Sequence, residues 1–338
     1  MGEFANHNRI NSNDVKNEEK GNSRVFNGRE IYHTSIPRAL IALSLWIGSI
    51  HFILFLLFIS YILFSPPTSA MVIGFQVILM VLPLDENSKF GLRIFSYVSK
   101  YVMGHFPVTL YVEDMKCFQS NRAYVFGFHP HSVFPLGVAI LCEHLAVIPI
   151  PNIKFLTSNP IFRTPVLRQI WSWCGAIAAS KKNFTAYLSA GYTCVVIPGG
   201  VQEILHMRQG AESDNVFISR RKGFIKVAIQ TVTPLVPVFF FGQAHTYKWW
   251  RPKCEFYVLK ARAIRFGPTV FWGRLGSHLP CKNPTVVVVG RPITVEKTLK
   301  PTIDEISKFQ REYTVSLRNL FDKYKTEIGH PGLELKIL

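Results

Sequence analysis

The plainest pattern along the chain is a block without charged side chains: no Asp, Glu, Lys or Arg occurs from Ala39 to Leu84. Within it, Leu40–Phe64 is long enough, at about 1.5 Å per residue, to cross a hydrocarbon core of ~30 Å. Pro66-Pro67 then breaks the run, and a second apolar stretch continues from Ala70 to Leu84. Its 15 residues are short for a span unless the bilayer thins or the segment lies at the interface. Arg29 and Arg38 precede the block, Lys89, Arg93 and Lys100 follow it, and the Ser65–Ser69 turn carries no basic residue. Cations at both ends and none at the turn predict a transmembrane hairpin over 39–84 with both ends cytosolic. One span plus an interfacial segment is the alternative. Residues 1–38 are polar, Asn-rich and mixed in sign, and read as a flexible cytosolic tail. A cleaved signal peptide fits poorly, because the apolar block starts late and runs long.

Beyond residue 84 short apolar runs alternate with amphipathic ones. Ala123–Phe128, Ile153–Ser158, Cys194–Ile197, Leu235–Phe240 and Thr285–Val289 predict buried strands. Helices are expected near Leu136–Leu145, Pro165–Trp173, Phe184–Ser189 and Gly223–Ile229. Ile303, Ile306, Phe309, Tyr313, Leu317, Leu320 and Tyr324 recur at steps of three and four, the spacing of an amphipathic helix. Strands alternating with helices predict one α/β domain over 85–338. Its sheet should be largely parallel and flanked by helices, with chemistry at the carboxyl ends of the strands.

Composition narrows what this domain meets. The chain has 338 residues, 48% hydrophobic, and only 17% are charged, against about 25% in ordinary soluble chains. That excludes disorder as a global description. The 38 Lys+Arg against 21 Asp+Glu give a net charge of +17, nearly all of it beyond residue 84, which points to an anionic partner. Membrane lipid suits both the charge and the apolar block; nucleic acid does not, for recognition motifs are missing. The six cysteines form no Cys-x-x-Cys pair, so spacing suggests neither a zinc cage nor a redox motif. Buried, reduced thiols are expected.

Three segments could carry chemistry. Phe128-His129-Pro130-His131-Ser132 follows a predicted strand and is stiffened by its proline. A neutral imidazole there suits a general base acting on an alcohol. A pair of satisfied loop histidines explains the same residues, and a metal site lacks a third ligand at zinc spacing. Ser132 lacks the Gly-x-Ser-x-Gly context of a nucleophile. Pro198-Gly199-Gly200-Val201-Gln202-Glu203 also follows a strand. Its glycines could open backbone amides to an oxyanion or merely form a tight turn, and Glu203 could orient a histidine. Arg220-Arg221-Lys222 opens a helix, where cations oppose the dipole, so a bound anion or a solvated basic turn is implied. Asn183-Phe184-Thr185 is a glycosylation sequon that a cytosolic domain leaves bare.

Taken together, Tyr124–Gly137, Asn183–Met207, Ser219–Gly242, Tyr247–Pro252 and Leu333–Leu338 resemble the type-2 diacylglycerol O-acyltransferase family, its plant branch most closely. The resemblance implies an endoplasmic-reticulum membrane enzyme, with the lipid droplet as an alternative location. Such an enzyme moves a fatty acyl group from acyl-CoA, a substrate and not a cofactor, to the hydroxyl of diacylglycerol. The family's His-Pro-His-Gly element falls on His129, Pro130, His131 and Ser132. Plant members commonly read Glu-Pro-His-Ser there, which favours His131 as the base and argues against an acyl-serine at Ser132. His129 and Glu203 complete the expected catalytic set. Ser132, Gly199 and Gly200 are the expected oxyanion loop, and Arg220, Arg221 and Lys222 the acyl-CoA phosphate site, with no metal and no cofactor.

The family's Tyr-Phe-Pro element falls on His105-Phe106-Pro107, with His in place of Tyr. Monoacylglycerol or a long-chain alcohol as acceptor, or a non-catalytic lipid-binding role, are the alternatives. Leu333–Leu338 resembles a hydrophobic retrieval signal of reticulum membrane enzymes. Sequence does not fix the oligomeric state.

Overall fold

The computed structural model describes residues 24–338 except 86, 87, 107, 143, 144, 146, 151, 209–212 and 297. The strands are β1 (Arg24–Asn27), β2 (Val108–Val112), β3 (Val125–His129), β4 (Ile153–Thr157), β5 (Ala176–Ala178) and β6 (Thr193–Val196). They continue with β7 (Ser213–Val216), β8 (Leu235–Phe241), β9 (Lys248–Trp250), β10 (Val270–Trp272), β11 (Thr285–Val289) and β12 (Glu334–Ile337). The helices are α1 (Gly28–Ile31), α2 (Ile36–Trp46), α3 (Gly48–Leu63), α4 (Pro66–Val81), α5 (Lys89–His105) and α6 (Leu167–Trp173). Then come α7 (Lys181–Ser189), α8 (Val201–His206), α9 (Gly223–Thr231), α10 (Glu255–Ile264) and α11 (Ile303–Glu327).

Eight strands make one sheet in the order β1-β2-β11-β8-β3-β6-β4-β5. The joints β2–β11, β8–β3, β3–β6, β6–β4 and β4–β5 are parallel, while β1–β2 and β11–β8 are antiparallel. The expected α/β architecture is therefore present. Side chains alternate between the faces. Phe126 and Phe128 of β3, with Val236, Val238 and Phe240 of β8, join the α5 side of the core. Val125, Leu235, Phe239 and Phe241 pack on the other side against α9 and α11. All seven residues of β8 are buried, as a strand covered on both faces requires.

Helix α11 starts with a capping box: Glu305 N–H donates to Thr302 Oγ1 (3.2 Å) and Thr302 N–H to Glu305 Oε2 (2.7 Å). Ile306, Tyr313, Leu317, Leu320 and Tyr324 turn inward as their spacing predicts, but Ile303 is 76% exposed. Leu136–Leu141 is a 3₁₀ helix rather than an α-helix. Of the expected tail, residues 1–23 lie outside the described residues. Arg24–Asn27, expected in the tail, instead pairs with β2 as the sheet's edge strand and buries Phe26.

The apolar block differs from the expectation in one respect: no single helix there is long and apolar enough to cross a membrane. The expected run Leu40–Phe64 breaks near Ile47, and its two parts bend by 71°. The Trp46 carbonyl at the break accepts from Ser49 Oγ (2.9 Å) and the Trp171 indole (3.3 Å). Helices α3 and α4 of 16 residues each follow, joined at Pro66-Pro67. At 1.5 Å per residue each is about 24 Å long. Arg168 and Gln169 of α6 clamp the far end, donating to the carbonyls of Leu79, Met80 and Leu82.

The segment Leu333–Leu338 is not a free tail. β12 pairs parallel with β7, and the Leu338 carbonyl accepts from the amides of Ile218 and Ser219, each at 3.0 Å. Asn183 Nδ2 donates to the Ala178 carbonyl (3.0 Å), so the sequon's amide is engaged in local structure. All six cysteines are free; Cys142, Cys174 and Cys194 are buried as expected, whereas Cys117 and Cys254 are exposed.

Candidate active site

β3 lies between β6 and β8, and parallel strands diverge from it on both sides, so its carboxyl end opens into a crevice. The His129–Ser132 loop leaves at that end, the Pro198–Gly200 turn leaves β6 beside it, and Gly242-Gln243 leaves β8 on the other side. The structure thus brings two of the three expected segments directly together.

The two histidines of the loop face different surroundings. His129 is completely buried. The Tyr313 hydroxyl, from α11, donates its one proton to the Gly127 carbonyl at 3.0 Å. The 3.1 Å contact between that oxygen and His129 Nε2 is therefore donated by the imidazole. His129 Nδ1 has no partner among the described residues. Burial drives its pKa down to about 3, so the ring is neutral. Gly127 is required here because a Cβ would overlap the Tyr313 hydroxyl. His129 was expected among the catalytic residues. In this structure its ring is enclosed at the end of β3 with Nε2 bonded to Tyr313.

His131, two residues on, is half-buried. Its Nδ1 contacts the Ser132 carbonyl at 2.8 Å; a carbonyl only accepts, so Nδ1 carries the proton and Nε2 keeps its lone pair. Burial lowers the pKa below 6.5, with the Ser132 bond opposing it, and leaves a neutral base near pH 7. Ser132 is buried and adopts φ 52°, the left-handed region that favours glycine, and this backbone turn aims its carbonyl back at the ring.

Glu203 of α8 is buried beneath this loop. Its Oε2 accepts from the His131 main-chain amide at 2.6 Å and its Oε1 from that of Phe217 at 3.0 Å. The expectation that Glu203 orients the imidazole is corrected: it orients the backbone that carries it. Both oxygens are occupied by amides, and the ring is turned towards Ser132. Burial raises the Glu203 pKa to about 7; the two amides and Arg221 draw it down, while Asp214 pushes it up. Gly199 is needed because a Cβ would overlap the Glu203 carboxylate, so the glycine turn and the histidine loop clasp one side chain. Gly200 turns the chain into α8 at φ 49°.

Arg220, Arg221 and Lys222 are exposed at the start of α9, with the Lys222 ammonium on Ser307 Oγ (2.9 Å). Arg221 exerts a weak electrostatic pull on Glu203. His105 ends α5 and its carbonyl accepts from the Arg29 guanidinium; Pro107 lies outside the described residues.

A pocket at the rim is lined by Pro130, Ser132, Glu203, Asp214, Met207 and Trp249. Among the described residues no group of three or more His, Cys, Asp or Glu could hold a metal ion. Sequence reasoning missed Gln243, whose Nε2 donates to the Pro130 carbonyl at 2.6 Å and braces the loop from β8. The signal for it was the position just after a buried strand, the same one that singled out the other two loops. Tyr313 carried no such signal, since its spacing marks only a core face.

Comparison with known proteins gives consistent relatives. The family described as diacylglycerol acyltransferase matches residues 60–337. Diacylglycerol O-acyltransferase 2 of Xenopus laevis is 35% identical over 278 residues, covering 74% of this chain and 75% of that protein. The Homo sapiens protein of the same name is 30% identical over 259 residues, 70% of this chain and 65% of its own. Among solved structures, the 1-acyl-sn-glycerophosphate acyltransferase PlsC of Thermotoga maritima overlaps 85% of this chain and 97% of its own, with TM-score 0.41 and 16% identity.

Proposed function

The chain belongs to the diacylglycerol acyltransferase family and is an acyltransferase; from that premise we propose that it makes triacylglycerol by direct acyl transfer from acyl-CoA to diacylglycerol, with His131 as general base. The observation that supports this most is the tautomer of His131. With Nδ1–H held by the Ser132 carbonyl, Nε2 keeps its lone pair and can accept a proton.

The diacylglycerol hydroxyl gives its proton to Nε2 as its oxygen attacks the thioester carbonyl. The resulting oxyanion is met by main-chain amides of the Ser132 loop and the Gly199-Gly200 turn, each such donor worth about 10²–10³ in rate. The oxyanion then collapses, the C–S bond breaks, and coenzyme A leaves with the proton returned from the imidazolium. Arg220, Arg221 and Lys222 hold its phosphates. No acyl-enzyme forms, so no covalent burst is expected.

In the same reading, α3 and α4 enter the reticulum membrane as a short hairpin, with both ends in the cytosol. Phe55, Phe58, Leu63, Met71, Phe75 and Val81 are all exposed on it, a surface that water does not favour. Because the helices are short, the hairpin reaches into the bilayer with local thinning.

Microsomes lacking other neutral-lipid synthesis, supplied with labelled oleoyl-CoA and diacylglycerol, monoacylglycerol or hexadecanol in parallel, test the acceptor. Triacylglycerol is expected as the main product; preferential acylation of either other acceptor would overturn the assignment.

A further inference from the structure

β7 and β12 make a two-stranded sheet of their own, apart from the eight-stranded one. The pairing is parallel, with Ser213 opposite Glu334 and Val216 opposite Ile337. Two strands alone are marginal in water, so the pair depends on what it packs against. β12 alternates accordingly. Leu335 and Ile337 are half-buried and pack, with Leu333, on the part of the core that holds Val216 and Ile218. Glu334 and Lys336 face outward and meet each other at 3.7 Å. A segment that served only as a retrieval address would have no use for this fit.

The backbone shows what the pairing secures. Leu338 N–H donates to the Val216 carbonyl (2.8 Å), and the Leu338 carbonyl accepts from Ile218 N–H and Ser219 N–H, both at 3.0 Å. The residues on either side of Phe217 are therefore tied to Leu338. Successive residues of a strand aim their N–H and C=O groups at opposite edges, so the Phe217 N–H is turned away from β12. There it donates to Glu203 Oε1 at 3.0 Å, and Glu203 Oε2 accepts the His131 amide at 2.6 Å. Helix α11 holds the same stretch: Gln310 Nε2 donates to the carbonyls of Ile218 (2.8 Å) and Ser219 (2.7 Å). One line of hydrogen bonds runs from Leu338 through β7 and the Glu203 carboxylate to the loop that carries His131.

We propose that β12 is a positioning element of the active site. By keeping the Phe217 amide on Glu203 it fixes the His131 loop, and by holding Ser219 it sets where the basic cluster at Arg220 begins. The strand touches no substrate and acts through Glu203. Its effect on turnover rests on the reading of His131 as base; its hold on the loop does not.

The full chain is purified and reconstituted in phosphatidylcholine vesicles, which removes any effect of cellular address. Leu335→Ala with Ile337→Ala strips the inward side chains of β12, Ile337→Ala alone is a milder cut, and Ile337→Val keeps most of the fit. Hydrogen exchange is followed by mass spectrometry in peptides covering 129–133 and 235–241, and turnover is measured across acyl-CoA concentrations. In the double variant, exchange at the His131 loop should be about tenfold faster or more, with β8 unchanged and kcat about tenfold lower. Ile337→Ala should show the same pattern at smaller amplitude, and Ile337→Val should stay within about twofold of wild type in both readouts. Unchanged exchange at 129–133 in the Ala variants overturns the inference. A rise of equal size at 129–133 and in β8 also overturns it, because that marks general loosening. His131→Gln in the same vesicles reads the base separately. Faster loop exchange with kcat kept supports the strand's hold and overturns His131 as the base.

Discussion

Two regions meet in the six residues Gly127–Ser132, and they use the same kind of side chain in opposite ways. On the inner side, the buried His129, Tyr313 and Gly127 are linked by hydrogen bonds through the Tyr313 hydroxyl. On the outer side, His131, Ser132 and Glu203 form a set whose bonds are all to main chain, so the imidazole keeps one nitrogen for chemistry. The inner set fixes where the strand ends; the outer set fixes how the loop turns. Which histidine serves chemistry follows from what each nitrogen is already bonded to. Sequence proximity says nothing about it.

The contrast is sharpest when each set is broken alone. His131→Ala should lower acyl transfer by about 10²–10⁴ while leaving the unfolding midpoint nearly unchanged, because the loop is held by main-chain bonds. The assay is turnover per folded molecule in membranes.

Tyr313→Phe should act the other way. It leaves the Gly127 carbonyl and His129 Nε2 short of a buried partner, a cost of about 1–3 kcal/mol in denaturant unfolding, with turnover per folded molecule largely kept. Equal stability for the variant and wild type would remove the inner set from the account.

Glu203→Gln is smaller in stability and mixed in kind. The shape is preserved, but an amide donor now faces one of the two main-chain N–H groups, so one buried bond is lost, worth about 1 kcal/mol. Turnover should fall because the His131 amide is no longer held, and Glu203→Asp should not restore it, being one methylene too short.

The smallest effect is on pH. The His131 pKa lies below 6.5, so the base is already neutral at pH 7 and kcat/KM should fall only as the pH drops below 6.5. A limb near pH 7, where burial sets Glu203, would assign control to the carboxyl instead.

Much of this was legible in the sequence because burial writes itself as pattern. The central strands β3, β6, β8 and β11 are covered on both faces and read as continuous apolar runs, and α11 shows its inward stripe at three- and four-residue steps. Short or edge elements did not show. β5 and β10 have three residues each, and β1 was hidden in a polar context. The break near Ile47 falls beside the Gly48-Ser49 pair, and its Trp46 carbonyl takes bonds from Ser49 and from the Trp171 indole, the second of which no local pattern contains. The site loops were legible as positions after strands, but the roles within them were not. Glu203 was expected at an imidazole and binds the amide of the same residue. Spacing identifies a neighbour; it does not identify the atom.

The most direct test of the central claim compares His131→Gln with His129→Gln in one membrane assay, with folded protein quantified in each. The account predicts that His131→Gln loses acyl transfer by at least about 10² while folding normally. It predicts that His129→Gln, which keeps a donor for Tyr313, retains turnover per folded molecule and loses only stability. The reverse result, an active His131→Gln and a folded but inactive His129→Gln, would contradict the assignment of the base.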